Sequence, residues 1–308
     1  MQLQPRTPYT LRAGRFDLAL GSRTLVVGIL NCTPDSFSDG GLHLSPRAAT
    51  DRFRALIDEG ADLIDVGGES TRPGAQEVSL EEEWARVEPV LRLAAAAPIP
   101  VSLDTRHAEV ARRGLDLGVS LINDVSALGH DPAMAEVVST GSAGVVLMHM
   151  RGQPATMQRA PHYDDVTLEV AQFLARAARH AIAAGIERQR IVLDPGIGFG
   201  KTTEHNLELL RRTTDLAALG YPLLIGASRK RFIGALLGAD RLPGLDAAAG
   251  SGGSGSASPD LAPIDKRLEG SLSVHAVAAL LGAHLVRVHD VAATRRALRL
   301  VDALLPGA

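Results

Sequence analysis

Residues 24–41 read TLVVGILNCTPDSFSDGG: an apolar run of β-formers stops at Asn31, and a loop rich in Ser, Asp and Gly follows. Near-continuous rather than alternating apolar residues are what a strand covered on both faces needs, as in a parallel sheet. Seven further runs share this character: DLIDVGG (62–68), PVSLDT (100–105), SLINDV (120–125), GVVLMH (144–149), RIVLDPG (190–196), PLLIGAS (222–228) and LVRVHDV (285–291).

Helix signals fill the gaps. SPRAATDRFRALIDEG opens on Ser45-Pro46 and closes on Gly60, the expected punctuation of a helix start and stop. Ser79 stands three residues before Glu82 in SLEEEWARVEPVLRL, the capping-box spacing. TEHNLELLRRTTDLAALG reads as one helix from an N-cap threonine, Thr203, to Gly220. Eight strand–helix alternations predict parallel strands with right-handed crossovers, an α/β fold of the (β/α)₈ or TIM barrel kind. The competing open, doubly wound sheet calls for a GxGxxG after the first strand, and none is present. Ahead of the first strand, YTLRAGRFDLALGSRT (9–24) reads as an N-terminal β-hairpin that closes the barrel floor. GLDAAAGSGGSGSASPDLAP (244–263) is Gly/Ser-rich and reads as a flexible insertion. The expected organisation is a single barrel domain over 1–308 carrying that insertion.

Composition sets outer limits. The chain has 308 residues, 45% hydrophobic and 22% charged, with a net charge of −3, so no electrostatic case for nucleic acid arises. One cysteine, Cys32, excludes an internal disulfide and suits a reducing compartment. No signal-peptide pattern and no stretch of ~18 apolar residues occurs, so a cytoplasmic protein without membrane contact is predicted.

In barrels of this kind the site lies at the C-terminal ends of the strands. Polar residues stand at that end of every run: Asn31; Glu69, Ser70, Thr71 and Arg72; Asp104 and Thr105; Asn123 and Asp124; Met148 with His149; Asp194; Ser228, Arg229 and Lys230; Arg287, His289 and Asp290. A lone Asn or Asp there is an ordinary turn-former; the whole ring predicts a site. Asp104, Asn123 and Asp194 suit a flat heterocycle with several N–H groups. Arg229, Lys230, Arg287 and His289 gather charge where barrels often hold phosphate, aided by a helix predicted to open at Ser228 in SRKRFIGALL. The combination predicts a nitrogen heterocycle bearing phosphate or diphosphate. Asn31 offers the neutral oxygen that Mg²⁺ accepts. Cys32 is expected to pack on the opposite face. His107, His180, His275 and His284 read as helical surface or core histidines, and His149, ending the fifth run, as either a residue bordering the site or an ordinary packed histidine.

At these residues the chain resembles the dihydropteroate synthase (pterin-binding) family. GILNCTPDSFSDGG, DVGGESTRPGA, LDPGIGFGKTTEHNLELLR, GASRKRF and RVHDV match its segments in order across roughly residues 20 to 305. The resemblance implies a (β/α)₈ barrel and a transferase that condenses (7,8-dihydropterin-6-yl)methyl diphosphate with 4-aminobenzoate. It implies Asn31 as a ligand of Mg²⁺ and Asp104, Asn123, Asp194 and Lys230 gripping the pterin beside Met148 and Phe199. Arg287, Val288 and His289 would form an anion pocket, and Arg231 would help seat the benzoate. Asp35, Phe37 and Asp39 would lie in one loop and Thr71, Arg72 and Pro73 in another, with Asp35 stabilising a cationic carbon. Catalytic roles fall to Asp35, Asp104 and Lys230. The family implies a homodimer through outer helices, compatible with the nearly all-apolar SLSVHAVAALLGA. A pterin-binding methyltransferase and a non-catalytic pterin-binding paralogue are the alternatives. Neither needs the Ser-Arg-Lys and Arg-Val-His segments.

Overall fold

The computed structural model describes residues 4–33, 46–70, 77–238 and 261–306. The antiparallel hairpin β1 (Tyr9–Ala13) and β2 (Phe16–Leu20) comes first. Eight strands follow: β3 (Leu25–Asn31), β4 (Leu63–Gly67), β5 (Val101–Asp104), β6 (Leu121–Asp124), β7 (Gly144–Met148), β8 (Ile191–Asp194), β9 (Leu224–Ile225) and β10 (Leu285–Val288). Each lies inside one of the predicted runs. All pair in parallel in the order β8-β7-β6-β5-β4-β3-β10-β9, and a Leu193–Leu223 bridge joins β8 to the segment entering β9, making the expected (β/α)₈ ring. β9 is short. Pro222 has no N–H for the ladder, although its carbonyl accepts from Leu193 N at 2.9 Å.

The helices are α1 (Pro46–Asp58), α2 (Leu80–Leu91), α3 (Ala108–Asp116), α4 (Met134–Thr140), α5 (Val166–Ala183), α6 (Thr203–Arg211), α7 (Thr213–Ala217), α8 (Arg231–Gly238), α9 (Leu268–Leu280) and α10 (Val291–Leu304). None of the described helices is long and apolar enough to cross a membrane. Ser79 caps α2 as predicted, its side chain accepting from Glu82 N. The predicted helix over 203–220 is instead two. Its cap is Thr202, one residue earlier, in a reciprocal box with His205. It breaks at Arg212, where Thr213 Oγ1 reaches back to the Leu209 and Leu210 carbonyls, the back-bonding that bends helices. The helix predicted to open at Ser228 begins at Arg231. Ser45 and most of the 244–263 insertion lie outside the described residues.

Period two along each strand sorts the core into layers. Val26, Leu30, Ile64, Val66 and Leu103 point outward and pack against the helices. Cys32 joins that layer as expected, its thiol pushed up to about 12 by burial. Inward-facing Leu25, Val27, Leu63, Leu121, Val146, Val192, Leu224 and Leu285 fill the lower barrel together with Leu11, Ala13 and Leu20 of the hairpin. The hairpin is therefore the floor, and the polar tier stands above it.

Candidate active site

Register decides which strand-end residues meet. Asn31 lies opposite Gly67, and Gly67 opposite Asp104; Asp104 pairs with Asn123, Met148 with Asp194, and Arg287 with Val27. All share the inward parity. Arg287 crosses the mouth: its Nε donates to Asp65 Oδ2 at 2.5 Å and its Nη2 to Asp104 Oδ2 at 2.8 Å. Asn123 Nδ2 donates to the same Asp65 oxygen at 3.0 Å. Thus one buried carboxylate ties β4, β6 and β10 together. Asp194 Oδ1 accepts from Gly196 N at 2.7 Å. Lys230 Nζ donates to the Ile197 carbonyl and lies 4.2 Å from the Phe199 ring centroid, an ammonium–π contact. At Gly198, φ is +84° and an added Cβ would come within 2.8 Å of Lys230 Cδ; only glycine lets the loop pass there.

Burial sets the titration. It pushes Asp104 up to about 8, with Arg287 opposing and Asp65 adding to the rise. It raises Asp194, against the pull of Lys230, and draws Lys230 down to about 7. These are the shifts expected when charged groups are held dry and partly paired.

A turn borders the end of β10. Ser228 Oγ accepts from His289 N at 3.2 Å and sits 3.0 Å from His289 Nδ1. The turn hangs from α9: Arg229 N donates to Ser271 Oγ at 2.9 Å, and Ala227 N to His275 Nε2 at 3.3 Å. Arg229, at φ +58°, forms an ion pair with Asp290 instead of joining the site (Nε–Oδ2 3.0 Å). Val288 faces the outer layer, so its side chain cannot line an anion pocket. Arg231 is exposed in the first turn of α8.

Other strand-end residues serve structure because they carry outward parity or turn away. Asp124 accepts from Ser126 N, Ser126 Oγ and Leu128 N. Thr105 Oγ1 accepts from His107 N. Glu69 holds Arg106 in a two-pronged pair at 3.0 Å and 3.0 Å. His149 does not border the site: it is buried and pulled down to about 2 by burial, with Lys201 Nζ 2.9 Å from its Nδ1. His107 caps α3 and His284 precedes β10, so neither is helical. Asp35, Phe37, Asp39, Thr71, Arg72 and Pro73 lie outside the described residues.

Two contributors escaped sequence reasoning. Asp65, inside an apolar strand, carried a signal: a lone carboxylate there must be paired. Lys201, fully buried, donates to the Gly196 and Phe199 carbonyls at 3.0 Å each and so fixes the loop that carries Phe199. Its oxygen acceptors are backbone carbonyls, which no residue pattern marks.

The pterin binding enzyme family model matches residues 27–289. The chain belongs to that family. It is 47% identical over 296 residues to the dihydropteroate synthase of Neisseria meningitidis serogroup C, covering 95% of this chain and 96% of that protein. Among solved structures, Xanthomonas albilineans dihydropteroate synthase with 4-aminobenzoic acid aligns with a TM-score of 0.81 at 44% identity, over 96% of this chain and 98% of that one. The same organism's enzyme in complex with 7,8-dihydropteroate aligns with a TM-score of 0.76 at 42% identity, over 93% and 95%.

Proposed function

We infer that this chain catalyses the dihydropteroate synthase reaction of tetrahydrofolate biosynthesis. (7,8-Dihydropterin-6-yl)methyl diphosphate and 4-aminobenzoate give 7,8-dihydropteroate and diphosphate. The observation that carries the reading is the convergence of Asp104, Asn123, Asp194, Lys230 and Arg287 on one mouth, in a pterin binding family chain 47% identical to a dihydropteroate synthase. The relatives favour this reading over a methyltransferase or a non-catalytic paralogue.

In this reading Asp104 and Asp194 accept from the pterin N–H groups and Lys230 donates to a ring acceptor, while Met148 and Phe199 pack beside the ring. Arg287 and the Ser228–His289 turn face the diphosphate. The methylene carbon's bond to the bridging oxygen breaks first, and the electron pair leaves with diphosphate. The electron-rich pterin delocalises the cation, and Asp35 is assigned to it on sequence grounds. The arylamine nitrogen then attacks and sheds its proton. Holding both reactants in a dry, preorganised site lowers the barrier. Asn31 ends β3 with only β4 between it and Asp104 and offers a single hard, neutral oxygen, which fits an Mg²⁺ carried mainly by diphosphate and water. That ion would neutralise leaving-group charge.

A second copy of the chain completes the reading. Val277 on α9 and Leu300 and Leu304 on α10 are 46%, 73% and 65% exposed. They lie on two adjoining helices, and Asp302 between the two leucines bonds Thr24 at the floor end. This supports a homodimer away from the mouth. The buried, inert Cys32 thiol fits a cytoplasmic setting.

The test supplies both substrates with Mg²⁺. Diphosphate release that requires 4-aminobenzoate and yields competitively to a sulfonamide is expected; pterin binding without release would overturn the assignment. Positional isotope scrambling in recovered substrate would support the dissociative path, and strictly amine-dependent C–O cleavage would refute it.

A further inference from the structure

We propose that Asp65 is a positioning residue of this reaction: it orients the amide of Asn123 and holds the guanidinium of Arg287 so that Asp104 is released to the pterin. The proposal deepens the reading above and rests on it. Asp65 sits at the centre of β4, between Ile29 and Ser102 in register, and is 1% exposed. Its Oδ2 accepts from Arg287 Nε at 2.5 Å and from Asn123 Nδ2 at 3.0 Å. Its Oδ1 has no hydrogen-bond partner among the described residues.

Two consequences follow from donor and acceptor chemistry. A carboxylate only accepts, so Asn123 must turn its NH₂ toward Asp65 and present its carbonyl oxygen the other way. Asn123 is thereby fixed as an acceptor for ligand N–H groups, and the choice between its two ends is made before any ligand arrives. Arg287 is held by two carboxylates at once, through Nε to Asp65 and Nη2 to Asp104. A pterin donor that takes Asp104 Oδ2 competes with the second bond. Because the first remains, Arg287 keeps a buried counter-charge and its orientation, and Asp104 exchanges one donor for another. Without Asp65, taking Asp104 from Arg287 would strand a buried cation, which is strongly unfavourable.

Asp65→Asn is the test because it keeps volume and shape. One amide oxygen can still accept from Arg287 and Asn123, and the NH₂ takes the place of the unpartnered Oδ1. The variant is expected to fold with a far-ultraviolet spectrum like the parent's. It should raise KM for the dihydropterin diphosphate about tenfold or more, as expected for weakening a charged hydrogen-bond pair, and leave KM for 4-aminobenzoate within about threefold. In an Asn123→Ala background the same substitution should add less than it costs alone, because the part of its effect that passes through Asn123 is already lost. If Asp65→Asn does not fold, the smaller Asp65→Ser carries the same expectations. A folded variant with unchanged pterin KM, or with both KM values raised alike and full additivity with Asn123→Ala, overturns the proposal. A parent protein without 4-aminobenzoate-dependent diphosphate release overturns the underlying reading instead, so the two failures are distinct.

Discussion

Replacing Lys230 with Met should make this protein more stable while sharply lowering turnover, and the gain should shrink as pH rises. The Lys230 ammonium is pulled from 10.5 down to about 7, chiefly by burial, with Asp194 opposing. At ~1.4 kcal/mol per pH unit, that displacement sets about 5 kcal/mol against folding wherever both folded and unfolded chains hold the proton. The folded value lies below the unfolded one, so the unfolded chain binds the proton more tightly. The penalty is complete below pH 7 and fades as pH rises from about 7 toward 10.5. Met keeps the apolar stem but forfeits the bond to the Ile197 carbonyl and the contact with Phe199, together about 1–2 kcal/mol. A net gain of ~3 kcal/mol at pH 6, shrinking to near zero at pH 9, is expected from that balance. Urea unfolding of parent and variant at pH 6, 7.5 and 9, with slopes compared, measures it. A variant no more stable than the parent at pH 6, or an advantage that does not shrink as pH rises, would refute the reasoning. Turnover should fall by about 10²-fold or more, because the donor that orients the pterin ring is lost.

Gly226→Ala should leave the melting temperature unchanged, since the new Cβ would stand 3.7 Å from Arg287 Cβ and 3.8 Å from Asp194 Oδ2. It fills space between Arg287 and Asp194, the groups proposed to hold the diphosphate and the pterin, so KM for the dihydropterin diphosphate should rise about tenfold or more; an unchanged KM would remove Gly226 from the pocket. Acid should destabilise the fold below pH 6.5, because burial holds His149 down to about 2 and His275 to about 4 while the unfolded chain protonates both. Each histidine contributes a loss of about 1.4 kcal/mol per pH unit as pH falls from 6.5 toward 4.5. His275→Gln, which keeps an acceptor for Ala227 N, should reduce the slope by that amount in urea titrations. An unchanged slope would show that His275 is not held neutral.

The strands were readable because burial on both faces leaves an uninterrupted apolar signature, and all eight fall inside the predicted runs. The ring of polar strand ends was readable for the same reason: a carboxylate or amide closing such a run is conspicuous. Parity was harder. Asp124 and Asn123 are neighbours, yet one caps a turn and the other enters the mouth; only the register separates them. Arg229 and Lys230 likewise looked equivalent, until Asp290 claimed the first. The break at Arg212 depends on which carbonyl a threonine hydroxyl chooses, a contest between local bonds of nearly equal strength. Asp65 was the informative omission. Its charge sits at the strand's centre, not its end, where burial makes pairing obligatory.

The side chains of the mouth come close to neutralising one another. Arg287 lies between Asp65 and Asp104, and Lys230 and Asp194 act on each other's charge. Such an arrangement costs stability, because each charge gives up water for imperfect partners. It also removes a barrier to binding. A heterocycle entering a solvated site must strip water from every polar group it meets, whereas here the groups are already largely buried and aimed, and a ligand donor replaces a protein donor almost one for one. The apolar tier beneath makes this arrangement rigid: Leu63, Leu121, Val192 and Leu285, closed below by Leu11, Ala13 and Leu20, leave the charged residues no route downward. The same inward parity that packs the lower barrel therefore fixes the direction of every polar side chain one step higher.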